Sequence, residues 1–328
     1  MNAFNQFVLD SPRRVAVPIA VYPGLALTKA RVWDAVSDAR RQVEATTALH
    51  ERYGTPVVLS AMDLSAEAEA FGCALHHSED EVPSVTGRLV TTLEEARRLA
   101  VPKPGDRRTS VPLEAVRRLR QLPDKPQVLG GCIGPFSLAA RLVGVSEAME
   151  LTVTGPDLMQ AVLERSATFL TDYLHAFRDA GADGVIMAEP AAGLLSPRAM
   201  AAFSTAYIKT MASAVSDGHF ALIVHNCAAK LVHLPAILQS GVESFHFGAP
   251  MDIVAALEKV PADVVLCGNL DPAGIFCQSG PDEVKARATG LLAATAGHRN
   301  FVLSSGCDVP ASAPLANLDA FYDAVQAR

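Results

Sequence analysis

Three residues in this chain have the types and spacing to grip a soft metal ion. His225 and Cys227 stand two apart at the end of one apolar run, Ala221-Leu-Ile-Val-His225-Asn-Cys227. Cys307 closes a second run, Phe301-Val-Leu-Ser-Ser-Gly306-Cys307. Positions i and i+2 of a strand lie on the same side, so His225 and Cys227 aim at one point. One imidazole and two thiolates leave a position open on a tetrahedral zinc ion, as in catalytic rather than closed structural sites. Mixed nitrogen and sulfur ligation suits zinc better than magnesium or calcium, which take oxygen. The competing reading of a lone histidine is a satisfied core residue, and that of a lone cysteine a small buried hydrophobe. The second reading is preferred for Cys73, Cys132, Cys267 and Cys277. The six cysteines contain no CxxC pair and do not describe a disulfide framework.

The chain has 328 residues, half of them apolar and 19% charged, enough to bury a large core. A net charge of -7 with no basic stripe argues against nucleic acid as a partner. The opening Met1-Asn-Ala-Phe-Asn-Gln-Phe lacks the parts of a signal peptide, and no apolar run is long enough to span a bilayer. A soluble, cytoplasmic protein with no membrane partner is expected.

Stepping outward, apolar runs near 15–21, 56–60, 127–132, 184–188, 220–224, 244–247, 264–267 and 301–303 predict eight strands. Helical periodicity separates them, for instance from about Thr28 to Gly54, from Pro156 to Ala180 and from Asp282 to Ala294. Alternating strands and helices call for a parallel sheet, and eight strands close a (β/α)8 TIM barrel. The expected architecture is one domain over 1–328, with an elaborated segment at about 61–126 between the second and third strands. An open doubly wound sheet is the competitor, without support from a GxGxxG or phosphate-loop pattern.

Barrel active sites lie at the carboxyl ends of the strands. That rule selects Tyr22, Asp63, Gly134, Glu189, His225, Cys227, His246, Asn269, Asp271 and Cys307. Asp63 and Asn269 are expected to hydrogen-bond substrate or orient a ligand. Gly134 is expected to leave room for a bulky partner, and Asp271-Pro272 reads as a turn or a site residue. His76, His77, Glu79 and Asp80 read as a solvated loop rather than a second metal site.

Several motifs occur in order along nearly the whole chain: Glu67-Ala-Glu69-Ala-Phe-Gly72-Cys73, Gly134-Pro-Phe-Ser-Leu-Ala139, Leu195-Ser-Pro197, His225-Asn-Cys227, Gly268-Asn-Leu-Asp-Pro272, and Ser305-Gly-Cys307 with Pro314-Leu-Ala-Asn317. Together they resemble the uroporphyrinogen decarboxylase superfamily. HxC with the late Gly-Cys is similar to its zinc-dependent methylcobamide:thiol methyltransferases. The resemblance implies zinc on His225, Cys227 and Cys307, and a thiol acceptor at the open position. The methyl donor would be a methylcorrinoid (cobalamin), free or on a partner protein, since no corrinoid-binding segment is present. From their places at strand ends, catalytic roles are expected of Glu189, Asp63, Asn269 and Asp271, and cofactor contacts of Gly134, Tyr22 and His246. The resting fourth ligand stays open among Glu189, His246 and water, because Phe247-Gly248-Ala249 stands where relatives often carry an acidic residue. A metal-free decarboxylase-like lyase is the alternative, although Ser11-Pro-Arg-Arg14 lacks that enzyme's Arg-rich signature. A non-catalytic corrinoid- or metal-binding accessory protein is the third reading.

Overall fold

In the computed structural model, which describes residues 1–326, seven strands form one curled parallel sheet. In chain order the strands are β1 (Val57–Leu59), β2 (Ala74–His76), β3 (Ser84–Thr86), β4 (Gln127–Ile133), β5 (Gly184–Ala188), β6 (Ala221–Asn226), β7 (Ser244–Phe247), β8 (Val265–Leu270) and β9 (Phe301–Ser305). The sheet runs β1-β4-β5-β6-β7-β8-β9, and β2 with β3 makes a separate antiparallel hairpin. Helices lie between successive sheet strands, giving a TIM-barrel-like α/β fold.

Side-chain parity along the strands separates two packed layers. Val57, Leu59, Leu129, Ile186, Ile223, Val265 and Val302 point inward and pack together. Their neighbours Val58, Val128, Val185, Leu222, Phe245, Leu266 and Leu303 point outward into the larger core under the helices. The same parity turns His225, His246 and Ser304 inward, because Val224, Phe245 and Leu303 on either side face out.

The segment 15–21, expected as the first strand, makes a single parallel bridge from Ala16 to Leu303. Leu303 N donates to Val15 O at 3.1 Å and Val17 N to Leu303 O at 2.9 Å. Then Pro18, which has no N–H to give, ends the ladder. Side-chain hydroxyls continue the attachment: Ser304 Oγ donates to Val17 O at 2.6 Å, and Ile19 N donates to Ser305 Oγ at 3.0 Å. Val15, Val17, Ile19 and Val21 still join the inner apolar layer.

The helix expected from about Thr28 is broken into Leu25–Thr28, Val32–Ser37 and Ala39–Tyr53. Asp38 makes the last break, its extended backbone freeing the side chain to cap Arg40 N. Between β1 and β4 lie helices Ala66–Phe71, Leu93–Arg98 and Ser110–Leu119 together with the hairpin. A further helix, Ala3–Asp10, tucks Phe4 and Val8 against the inner layer, and Asn5 Nδ2 donates to Glu243 O and Asp263 O. Among the described residues no helix is long and apolar enough to cross a membrane.

Candidate metal centre

Strands β6 and β9 bring His225, Cys227 and Cys307 together, with their ligand atoms all within 4.8 Å of one another. His225 is buried and its Nε2 has no hydrogen-bond partner. A bare, buried imidazole nitrogen is costly unless something else fills its valence. Set beside two sulfurs, it is the donor atom a zinc ion needs. The thiols are coupled: the hydrogen bond from Cys307 holds the Cys227 thiol below its ordinary range. The same bond, with burial, pushes Cys307 up against a downward pull from the adjacent His225. One sulfur of the pair is therefore ready to be a thiolate, the form that ligates metal.

Behind His225 a chain of hydrogen bonds runs through the sheet. His225 Nδ1 lies 2.8 Å from His246 Nδ1, and His246 Nε2 lies 2.7 Å from Ser304 Oγ. Both ring nitrogens of His246 are thus committed, so it backs His225 and has no free donor for a fourth metal position. Burial, and then the neighbouring His225, hold His246 well below the usual imidazole range, so it is neutral. In the segment Phe247-Gly248-Ala249 the backbone is closely packed at the glycine. A Cβ on Gly248 would sit 2.2 Å from Cys227 O, leaving no side chain room there. Asn269 holds this loop in place through Nδ2, which donates to Gly248 O at 3.0 Å and Met251 O at 2.7 Å.

The other expected site residues have their polar groups engaged within the fold. Glu189 follows β5, but its carboxylate turns to the start of helix Pro135–Val143. It accepts from Phe136 N and Ser137 N, both at 2.8 Å, and from Ser204 Oγ at 2.7 Å. Burial pushes its carboxyl up while these bonds pull it down. Gly134 serves the same contact, since a Cβ there would meet Glu189 Oε2 at 2.5 Å. Tyr22 donates its hydroxyl to Met62 O at 3.1 Å. Asp271 is exposed and caps Ala273 N at 3.0 Å. Asp63 pairs with Arg108, whose Nε also donates to Glu69 Oε2 at 2.7 Å and Nη2 to Ser65 Oγ at 3.0 Å. In the loop between β2 and β3, His77 stacks on Trp33 at 4.7 Å and Glu79 pairs with Arg31.

Four residues of note were not foreseen. Ser304 carries a readable signal, a polar residue two after the inward Val302. Asp308 follows Cys307 directly, and its Oδ1 is closed to solvent without a partner. Arg108 has no such signal and Glu67 only its place in the motif Glu67–Cys73, because their burial depends on how the segment between β1 and β4 folds back. Glu67 accepts from Ile133 N at 3.0 Å, and burial pushes its carboxyl up to about 7.

Fold and site thus define a TIM-barrel-like α/β protein with a His-Cys-Cys cluster at the carboxyl ends of its strands. The chain belongs to the uroporphyrinogen decarboxylase (URO-D) family, whose model matches residues 21–328. It is 29% identical over 289 residues to a methylcobamide:CoM methyltransferase of Methanosarcina mazei, covering 87% of this chain and 84% of that protein. It is 28% identical over 287 residues to a uroporphyrinogen decarboxylase of Nitrosomonas europaea, covering 84% and 80%. Among solved structures, a methyltransferase from Methanosarcina mazei superposes with a TM-score of 0.87 at 24% identity, covering 98% of this chain and 96% of that one. The last likeness establishes the shared fold.

Proposed function

We propose that this protein is a corrinoid-dependent methyltransferase with a thiol acceptor, and that His225 Nε2, Cys227 and Cys307 hold its zinc ion. The observation that carries the reading is the bare, buried His225 Nε2 within 4.8 Å of two cysteine sulfurs. The relationship to methylcobamide:CoM methyltransferases supports the same reaction class. Zinc, when bound, would lower the pKa of a thiol at its open position so that a thiolate is present at neutral pH. A methylcorrinoid, when bound, would supply the methyl group that this thiolate takes up.

The chain's own residues hold the donors in place. Gly248 and Asn269 fix the loop behind Cys227, and His246 orients His225. We read the curled sheet with the segment 15–21 as an eight-staved barrel forming one domain, elaborated at 61–126, and working in the cytoplasm. The corrinoid would come free or on a partner protein. Asp63, Tyr22, Gly134, Glu189 and Asp271 support the walls of the site in this reading.

Decarboxylases are relatives too, so a lyase is the second reading. Against it, Arg14 spends its guanidinium on the carbonyls of Thr295, His298 and Phe301, at the amino-terminal end of β9. The test is metal analysis of purified protein joined to a methylcobalamin demethylation assay across a panel of thiols. Stoichiometric zinc and thiol-dependent loss of the methyl-cobalt absorbance are expected. Protein that holds no zinc, ignores chelators and demethylates nothing would contradict the proposal.

A further inference from the structure

We infer that His246 and Ser304 are positioning residues that lock His225 into the one tautomer able to bind a metal, with the Val17 carbonyl setting the direction of the chain. The inference rests on the metal-site reading above and deepens it.

Hydrogen counting fixes the direction. The Val17 carbonyl can only accept, and Ser304 Oγ lies 2.6 Å from it, so the single hydroxyl hydrogen points there. Ser304 Oγ has lone pairs left but no hydrogen, so it must accept from His246 Nε2 at 2.7 Å. A neutral His246 with its hydrogen on Nε2 presents a lone pair at Nδ1. The facing atom, His225 Nδ1 at 2.8 Å, therefore carries the hydrogen between the two rings. That leaves His225 Nε2 bare, and Nε2 is the atom without a partner. No carboxylate is hydrogen-bonded to either ring, so an additional proton would place an unpaired charge inside the barrel.

The order of strands gives this chain of bonds its reach. His225 and His246 are register partners on β6 and β7, while Ser304 crosses from β9 and ties to the segment 15–21. That segment holds the sheet by one bridge before Pro18 ends its ladder. Docking of the chain's first extended segment is thereby wired to the nitrogen that faces the two cysteines. Without the Ser304 hydroxyl, His246 Nε2–H loses its acceptor. The ring can then carry its hydrogen on Nδ1, donate to His225 Nδ1, and leave a hydrogen on the metal-facing Nε2. Partners of this kind behind a metal-bound histidine are worth roughly 10- to 100-fold in metal affinity.

Two measurements test this on the full-length protein. Nitrogen-15 NMR of histidine-labelled, metal-free wild type should show His225 protonated at Nδ1 and bare at Nε2, and His246 protonated at Nε2. Chelator competition should show zinc bound roughly 10- to 100-fold more weakly by Ser304→Ala, with Ser304→Thr, which keeps the hydroxyl, close to wild type. A wild-type His225 protonated at Nε2, or a folded Ser304→Ala that binds zinc as tightly as wild type, would overturn the inference. A bare Nε2 in a protein that binds no zinc would instead overturn the metal reading beneath it. The NMR result does not depend on any variant folding.

Discussion

Strands β5 and β6 are neighbours, and Ala188 pairs with His225, so Glu189 and the His225–Cys227 pair leave the sheet side by side. By position and chemistry both look catalytic, yet their surroundings differ. The Glu189 carboxylate accepts from three donors and fits into space that Gly134 leaves for it. It binds the unpaired N–H groups at the start of a helix, which any anion there would satisfy. His225 has one nitrogen engaged and the other bare beside two sulfurs. A polar group whose bonds are all used inside the fold supports structure, whereas one left open where ligands converge is set for chemistry.

Substitutions at these two strand ends should separate metal content from fold stability. The largest effect is expected at the open side. Cys307→Ala should retain its circular dichroism and melting curve but lose stoichiometric zinc, and thiol-dependent demethylation should fall roughly a thousandfold, several kcal/mol of barrier. A Cys307→Ala protein that keeps zinc and activity would break the contrast. At the closed side the order reverses. Glu189→Ala strands three buried donors, at about 1–3 kcal/mol each, so chemical denaturation should show a loss of about 3 kcal/mol or more. The folded fraction should still bind zinc, and loss of zinc from folded Glu189→Ala would assign the carboxylate to the metal instead.

Glu67 sharpens the comparison through pH. Its carboxyl stands at about 7 in the folded chain against an ordinary 4.5, mainly because of burial. Between those values the folded chain keeps a proton that the unfolded chain has released, so stability falls as pH rises. The integrated loss is about 3 kcal/mol by pH 8, and Glu67→Gln should flatten that slope in denaturant titrations across pH 4–8. The smallest effect belongs to Asp271, an exposed cap. Asp271→Ala should cost about 1 kcal/mol in thermal denaturation and leave zinc binding unchanged.

The convergence of His225, Cys227 and Cys307 was legible because period-two parity in β6 is a local property, and an apolar run ending in HxC carries it openly. The strand order along the chain was legible for the same reason. The closure at 15–21 was harder to read, because Val15-Ala-Val-Pro-Ile-Ala-Val21 has strand composition while Pro18 alone decides where the ladder stops. The helix Ala3–Asp10 and the Asp63–Arg108 pair depend on contacts across 238 and 45 positions, which no local pattern encodes. Glu189 could not be assigned a partner from sequence for a physical reason: a strand-end carboxylate looks the same whether it faces a substrate or a helix terminus. His246 was placed at the site but in a supporting position, since only the direction of its hydrogen bonds distinguishes a ligand from the group behind it.

X-ray absorption at the zinc edge, with and without an acceptor thiol, tests the central claim most directly. The account predicts two sulfurs and one imidazole nitrogen in the metal-loaded protein, and a third sulfur when thiol is added. A shell of oxygen and nitrogen alone, or a sulfur count unchanged by a thiol that is turned over, would contradict it.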